Sequence, residues 1–368
     1  MVSMEELLNL MVQRGGSDLH LSVGAPPKIR IDGKLIDTEY EPLMPEATKK
    51  LVYSVLGADQ VAKFEKALEL DFSFGVANLG RFRTNAFIQR GTVAAVLRVI
   101  PFEVYDFQTI GLPVKVCEWI CNLPRGLVLC TGSTGSGKST TLASMVNYIN
   151  ETRQSHIVTI EDPIEFLHRN KSCLVNQREV GGDTLAFEKA LKSVLRQDPD
   201  IVLVGEMRDL ETIEAALTMA ETGHLTFATL HTSDVQQTCN RIVDVFPAHQ
   251  QQQIRTMLSF TLQAVVCQQL VPRIHGKGRA LAAEIMIANP AIRALVRDNK
   301  AHQIMSIIQT GGAAGMRTMN QSLFELYRAG TISYEDALEH TGDEADFQRL
   351  MERTGAGGTA AAARKSLR

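Results

Sequence analysis

The chain has 368 residues, of which 45% are apolar and 21% charged. This is enough for two ordinary domains and excludes a disordered or fibrous protein. A formal net charge of −3 speaks against a surface built mainly to hold nucleic acid, while leaving room for a local basic groove. No apolar run reaches the roughly 18–20 residues that a membrane span needs, so any membrane contact is expected to go through a partner.

The start, MVSMEELLNLMVQRGG, has two acidic residues before any basic one, and its apolar residues recur at helical spacing. That predicts an amphipathic helix rather than a secretory leader, and a cytoplasmic protein. DLHLSVG and PKIRIDGKLID then alternate apolar and polar residues, with Asp32–Gly33 as the turn signal of a hairpin. EATKKLVYSVLGADQVAKFEKALEL reads as helix with a break at Gly57, and GRFRTNAFIQRGTVAAVLRVIP as two strands joined around Gly91. Helices and antiparallel strands in this order predict a small α+β domain over residues 1–105.

PFEVYDFQTIGLP has prolines towards both ends and no clear periodicity, and places a linker at 106–113. Over 114–355 the pattern changes. The apolar runs GLVLCTG, SHIVTIED, DIVLVGE and HLTFATLH alternate with helices, which predicts the buried strands of a mostly parallel α/β sheet. Residues 356–368 belong to a low-complexity stretch and are expected to be a disordered tail. The six cysteines are scattered, with no C-x-x-C pair. Cys117 and Cys121 share a helix face but lack a second pair, so reduced, structural thiols are expected.

GSTGSGKS, Gly132 to Ser139, matches G-x-x-x-x-G-K-[ST] and lies between the apolar run ending at Cys130 and a helical stretch, TTLASMVNYIN. Gly132, Gly135 and Gly137 let backbone N–H groups turn inward around phosphate oxygens, and a helix N-terminus adds its positive end. The nucleotide-holding residues are thus Gly132, Ser133, Thr134, Gly135, Ser136, Gly137, Lys138, Ser139 and Thr140, with Lys138 on the β and γ phosphates and the Ser139 hydroxyl on Mg²⁺. Hydrolysis needs an acid to orient water. DIVLVGEMRD puts Gly205 where many such enzymes have Asp, so Glu206 is the candidate to polarise the water. IVTIEDPIEF places Glu161, Asp162 and Glu165 after another strand, on the sheet edge where ligands bind. Glu161 is expected to support Mg²⁺, directly or through water.

GHLTFATLHTSD carries two histidines, His224 and His231. An extended strand between them spans about 20 Å at roughly 3.3 Å per residue, too far for one metal ion. His231 follows the strand and is expected at the ligand edge, where it donates to the γ-phosphate or senses its loss. His224 lies at the opposite end and caps or packs.

In this order the four elements resemble the secretion ATPases of type II secretion and type IV pili. GSTGSGKST is similar to their Walker A loop, TIEDPIEF to their Asp box, LVGEMRD to their atypical Walker B, and GHLTFATLHTSD to their His box. SDLHLS and GRFRTNAFIQR resemble their N-terminal domain, so the likeness covers nearly the whole chain. Assembly and secretion members usually carry extra N-terminal domains and a four-cysteine zinc insertion. Here the chain starts at the domain with SDLHLS, and the corresponding stretch QQLVPRIHGKGRALAAEIM is short and without cysteine, so no zinc is expected. AIRALVRDNK (291–300) is similar to the AIRNLI-type motif of the retraction branch, departing at Ala294, where that motif has Asn, and at Val296, where it has Ile. IQTGGAAGMRTMNQSL is similar to the same branch's C-terminal region. The sequence is identified as a member of the type IV pilus retraction ATPases, the PilT family.

The resemblance implies a RecA-like P-loop ATPase domain behind a smaller PAS-like α+β domain. It further implies a homohexameric ring, ATP and Mg²⁺ as ligands, an inner-membrane platform protein and a paralogous ATPase as partners, and no nucleic acid. It also gives the arginines of GRFRTNAFIQRGTVAAVLRV a reading. Arg81, Arg83, Arg90 and Arg98 would face the nucleotide cleft, with Arg83 and Arg98 first and Arg81 next to neutralise charge on the γ-phosphate. In AIRALVRD, Ile292, Leu295 and Val296 form one helix stripe, Arg293 and Arg297 another. The competing expectations are a pilus assembly or type II secretion ATPase, an accessory retraction protein, a ring DNA translocase, and a nucleotide-gated binding module.

Overall fold

Ser3 caps the first helix. Its hydroxyl accepts from the Glu6 N–H, the Glu6 carboxylate accepts from the Ser3 N–H, and α1 (Met4–Gln13) buries Met4, Leu7, Leu8 and Met11. The structure, a computed structural model, describes residues 2–31, 33–77, 79–100, 104–275 and 278–353. Asp32 of the expected turn and the tail at 356–368 lie outside the described residues. The chain divides into two compact units, one of residues 1–103 with 165–167 and one of residues 104–164 and 168–368.

In the first unit, β1 (Asp18–Leu21), β2 (Lys28–Ile31), β3 (Lys34–Asp37), β4 (Glu69–Val76), β5 (Gly80–Gln89) and β6 (Thr92–Ile100) form one antiparallel sheet in the order β3-β2-β1-β6-β5-β4. The expected helical stretch breaks around Gly57 into α2 (Pro45–Tyr53) and α3 (Ala58–Ala67). Its end is a correction. α3 stops at Leu68, which turns left-handed at φ 65°, and ELDFSFGV follows as β4. From Leu70 the apolar residues recur every second position, so the strand wins over the helix once β5 offers a partner.

The second unit carries β7 (Gly126–Thr131), β8 (His156–Glu161), β9 (Leu174–Glu179), β10 (Ile201–Val204), β11 (Leu225–Leu230), β12 (Leu262–Pro272) and β13 (Arg279–Ile287), in the order β13-β12-β7-β11-β10-β8-β9. All neighbours are parallel except β12 and β13. The four expected strands occupy the middle. β9, β12 and β13 were not among them, and β13, antiparallel to β12, makes the sheet mixed. β9 is polar and half exposed because it is an edge. Alternate residues of each central strand feed two apolar layers: Leu127 and Leu129 one, Val128 and Cys130 the other.

Helices cover both faces. α4 (Phe107–Ile110), α5 (Val114–Cys121) and α6 (Lys138–Thr152) lie over one, and α7 (Phe187–Val194), α8 (Leu210–Glu221), α9 (Val235–Asp244), α10 (Gln251–Thr261), α11 (Pro290–Arg297) and α12 (Ile304–Thr310) supply the other. α4 falls inside the stretch read as linker. Asp106 caps it, and Phe107 is buried against Tyr148 of α6, ring centroids 5.5 Å apart. α13 (Met319–Arg328), α14 (Tyr334–His340) and α15 (Glu344–Arg353) build a further apolar cluster on β12 and β13 around Phe324 and Phe347. All six cysteines are free and buried. Among the described residues no helix is long and apolar enough to cross a membrane.

Candidate nucleotide-binding and hydrolysis site

Parallel pairing brings the carboxyl ends of β7, β11, β10 and β8 to one sheet edge, in adjacent register. β7 ends at Thr131, and the loop 132–137 leads directly into α6, with Gly137 as its N-cap. Only glycine fits at Gly132. Its φ is 140°, and a Cβ there would stand 2.4 Å from the Gln268 carbonyl oxygen of β12. Gly135 (φ 79°) and Gly137 (φ 91°) complete the inward turn of the backbone. Lys138 is buried over the loop and donates to the carbonyls of Gly132 (2.8 Å) and Ser133 (3.0 Å). Ser133, Thr134 and Gly135 are exposed at the loop's tip, and Ser139 and Thr140 are half-buried in the first turn of α6. The buried Ser136 hydroxyl has no hydrogen-bond partner among the described residues. An orphaned hydroxyl, a cradle closed to any Cβ and a helix N-terminus together fit a polyphosphate.

Glu161, the last residue of β8, is buried. Its Oε1 accepts from the Thr159 hydroxyl (2.6 Å) and from the Gln177 amide (3.3 Å). The turn after it is held by Glu179, whose carboxylate accepts from the Ile164 N–H at 3.1 Å. Hydroxyl and carboxylate oxygens at Ser139 and Glu161 are the hard donors that suit Mg²⁺.

β10 ends at Val204, Gly205 follows it, and the structure explains why no Asp stands there. A Cβ at Gly205 would meet the Ile160 carbonyl oxygen at 3.1 Å and Glu161 Cα at 3.2 Å. The Thr229 hydroxyl of β11 donates to the Gly205 carbonyl at 2.5 Å and locks the two strand ends together. Glu206 therefore meets His231: its Oε1 lies 3.2 Å from His231 Nε2, and its Oε2 lies 2.7 Å from Arg208 Nη2. The Arg208 hydrogen bond holds the Glu206 carboxyl below its ordinary range against the opposing effect of burial, aided by the charges of Arg208 and His231. Sequence reasoning passed over Arg208, although its place two residues after Glu206 in GEMRD was the available signal.

His224 stands at the other end of β11. Its Nδ1 lies 3.0 Å from the Met219 carbonyl and 3.2 Å from the Thr222 hydroxyl, so it closes the C-terminus of α8.

The arginines of the first unit divide by partner. Arg83 of β5 stands opposite Arg98 of β6, and Arg81 opposite Ile100. Arg98 donates to the buried Asp18 at 2.7 Å. Burial raises the Asp18 carboxyl, but the hydrogen bonds from Ser17 and Arg98 outweigh it, and the net displacement is downward. Arg83 is exposed, without a hydrogen bond or ion pair among the described residues. Arg90 takes φ 48° in the β5–β6 turn, a hairpin position. In α11, Ile292 and Val296 are buried and Leu295 packs beside them. Arg293 does not share a free stripe with Arg297: it donates to the carbonyls of Ser259 (2.8 Å) and Phe260 (2.9 Å) and so closes α10.

The Type II/IV secretion system protein family matches residues 8–339. The chain belongs to that family. Within it, the type IV pilus retraction ATPase PilT of Pseudomonas aeruginosa is 53% identical over 91% of this chain and 96% of its own length. The type IV pilus ATPase PilU of the same organism is 42% identical over 95% and 91%. A crystal structure of the pilus retraction motor PilT with bound ADP superposes with a TM-score of 0.89 at 51% identity, covering 95% of this chain and 100% of that one. The expected α/β architecture, a mostly parallel sheet behind a smaller antiparallel unit, is that of this family.

Proposed function

We propose that this chain is an ATP-hydrolysing motor that drives type IV pilus retraction, working as a Mg²⁺-dependent homohexamer. The observation that carries the mechanism is the meeting of Glu206, His231 and Arg208 at the ends of β10 and β11, beside the strand that opens into the phosphate loop.

Lys138 and the N–H groups of residues 132–140 hold the phosphates. Ser139 and Glu161, directly or through water, would hold Mg²⁺, which when bound neutralises charge on the phosphate oxygens. Glu206 takes the proton of the attacking water. His231 and Arg208 both donate to Glu206 in the structure. A γ-phosphate carries more charge than a carboxylate and draws these donors away, leaving Glu206 free for the water. Sensing and activation are then one rearrangement. Arg83 is assigned to neutralise transition-state charge ahead of Arg98, which holds Asp18, and Arg81. The motor works at the cytoplasmic face of the membrane through a platform protein, with a paralogous ATPase as a further partner and no contact with nucleic acid.

The test is imaging of labelled pili in a strain deleted for the gene and complemented with wild type or Glu206→Gln. Purified Glu206→Gln should bind ATP and turn over about 10²–10⁴-fold slower. Pili that extend but never shorten, rescued by wild type alone, are the expected outcome. Bald cells would identify an assembly motor.

A further inference from the structure

Glu284 is a buried carboxylate outside the phosphate site, only 1% exposed on β13. Its Oε1 accepts from the Val235 N–H at 3.0 Å. On either side of it, the Ala283 N–H donates to the Ser322 hydroxyl at 3.0 Å and Ile285 exchanges backbone hydrogen bonds with Arg317. Val235 is the first residue of α9, and Ser322 lies in the first turn of α13. Glu284 and its two strand neighbours thus tie two helix N-termini to one point on the sheet.

Both ends lead somewhere. α9 begins four residues after His231. The segment between is fixed onto α9 by Thr232, whose hydroxyl bonds the Thr238 hydroxyl (2.7 Å), and by Asp234, which caps Gln237 (2.7 Å). α13 opens the C-terminal helical cluster, and the residue pair before it, Ile285 and Arg317, is bridged in both directions. Behind Glu284, in register on β12, stands Cys267. Its sulfur accepts from the hydroxyl of Thr131, the residue before the phosphate loop. A buried carboxylate disfavours the fold unless its bond matters, and here it joins the segment of His231 to the strand whose neighbouring residues hold the C-terminal helices.

We propose that Glu284 is the positioning residue of His231: it anchors the segment after His231 to the strand whose neighbouring residues hold the start of α13, so that a shift of His231 on ATP binding is transmitted to the C-terminal helices. The inference rests on the reading of His231 as the γ-phosphate sensor. The ionised carboxylate is the stronger acceptor for the Val235 N–H. Burial pushes Glu284 up to about 7. The Val235 bond opposes this, and the charge of Asp234 adds to it. Of the other titratable or charged groups nearby, Cys267 stands in register on β12 with its thiol raised well above its ordinary value by burial, and Arg317 bonds the adjacent Ala283 carbonyl and pairs with Glu325 of α13 at 3.5 Å.

The experiment measures kcat and KM for ATP on either side of pH 7 for wild type, Glu284→Gln, Glu284→Asp and His231→Gln. Wild type should lose kcat as the pH falls through about 7, and His231→Gln, which lacks the side chain being positioned, should be slow and lose this acid limb. Glu284→Gln should lose the limb and turn over about tenfold slower at alkaline pH with KM unchanged, the low end of what outer-shell partners contribute. Glu284→Asp, too short to reach the start of α9, should be slow and retain a limb. A Glu284→Gln profile that overlays wild type overturns the inference, as does a uniform loss with the limb intact. If instead His231→Gln hydrolyses ATP like wild type, the sensor reading itself has failed and takes this inference with it.

Discussion

Replacing Glu284 by Gln should stabilise the protein, and the gain should depend on pH in a way that no other residue of the sheet reproduces. The carboxyl is displaced upward from its ordinary 4.5 to about 7, with burial as the leading cause. A raised carboxylate means that the folded state disfavours the charge. Below 4.5 both folded and unfolded chains carry the proton and the group contributes nothing to the pH dependence. Between 4.5 and about 7 the unfolded chain ionises first and stability falls. Above about 7 the full penalty applies. The span of about 2.5 pH units at about 1.4 kcal/mol each gives about 3 kcal/mol. Gln mimics the neutral acid in shape, so Glu284→Gln should match wild type at acid pH and exceed it by about 3 kcal/mol at pH 8. At about 2–4 °C per kcal/mol this is a rise of about 6–12 °C in Tm. Thermal unfolding followed by circular dichroism at a series of pH values reads it directly. Parallel curves for the two proteins at every pH, or a Gln variant that is less stable at pH 8, would refute the reasoning. The second result would mean that the bond to the α9 N-terminus outweighs burial. A variant that is both more stable and slower is also the combination expected where a strained group is kept for work.

Gly205→Asp, which restores the acid common in related loops, should fail. Its Cβ has 3.1 Å to a carbonyl oxygen with no flexible end to yield, so a loss of about 1–3 kcal/mol in thermal stability and of ATPase activity is expected. Arg208→Gln removes the main cause of the low Glu206 carboxyl value. Glu206 then protonates at higher pH, and the acid limb of kcat/KM moves upward. Because the pair is partly exposed, solvent screening keeps the move small.

The phosphate loop, Glu206 and His231 were legible in the sequence because each sits where a buried apolar strand ends, and parallel strands of similar length deliver their ends to one edge. The meeting of Glu206 with His231 follows from β10 pairing with β11, which the strand runs suggested but no spacing could prove. What stayed hidden were partners supplied from elements without an apolar signature. Gln177 comes from a polar edge strand, and Glu284 from a stretch read only for its lack of cysteine. β4 was missed because a helical run passes into it with no Gly or Pro at the boundary, and Leu68 makes the turn that glycine usually makes.

α11 shows how the structure changes a test suggested by sequence. Its stripe of Ile292, Leu295 and Val296 invited a double substitution, Ile292→Ala with Leu295→Ala, to separate pilus retraction from ATPase activity. Ile292 is fully buried in the layer under β7 and β10, so its loss alone should cost about 2–5 kcal/mol and would lower both functions together. Arg293 is equally committed, holding the end of α10 from half-buried ground. The residues of this helix free to meet another molecule are the exposed Pro290, Ala291 and Arg297 and the half-exposed Ala294 and Leu295. Any working surface here has to be carried by those five, and its effect on retraction can be isolated only by changing them while leaving Ile292, Arg293 and Val296 in place.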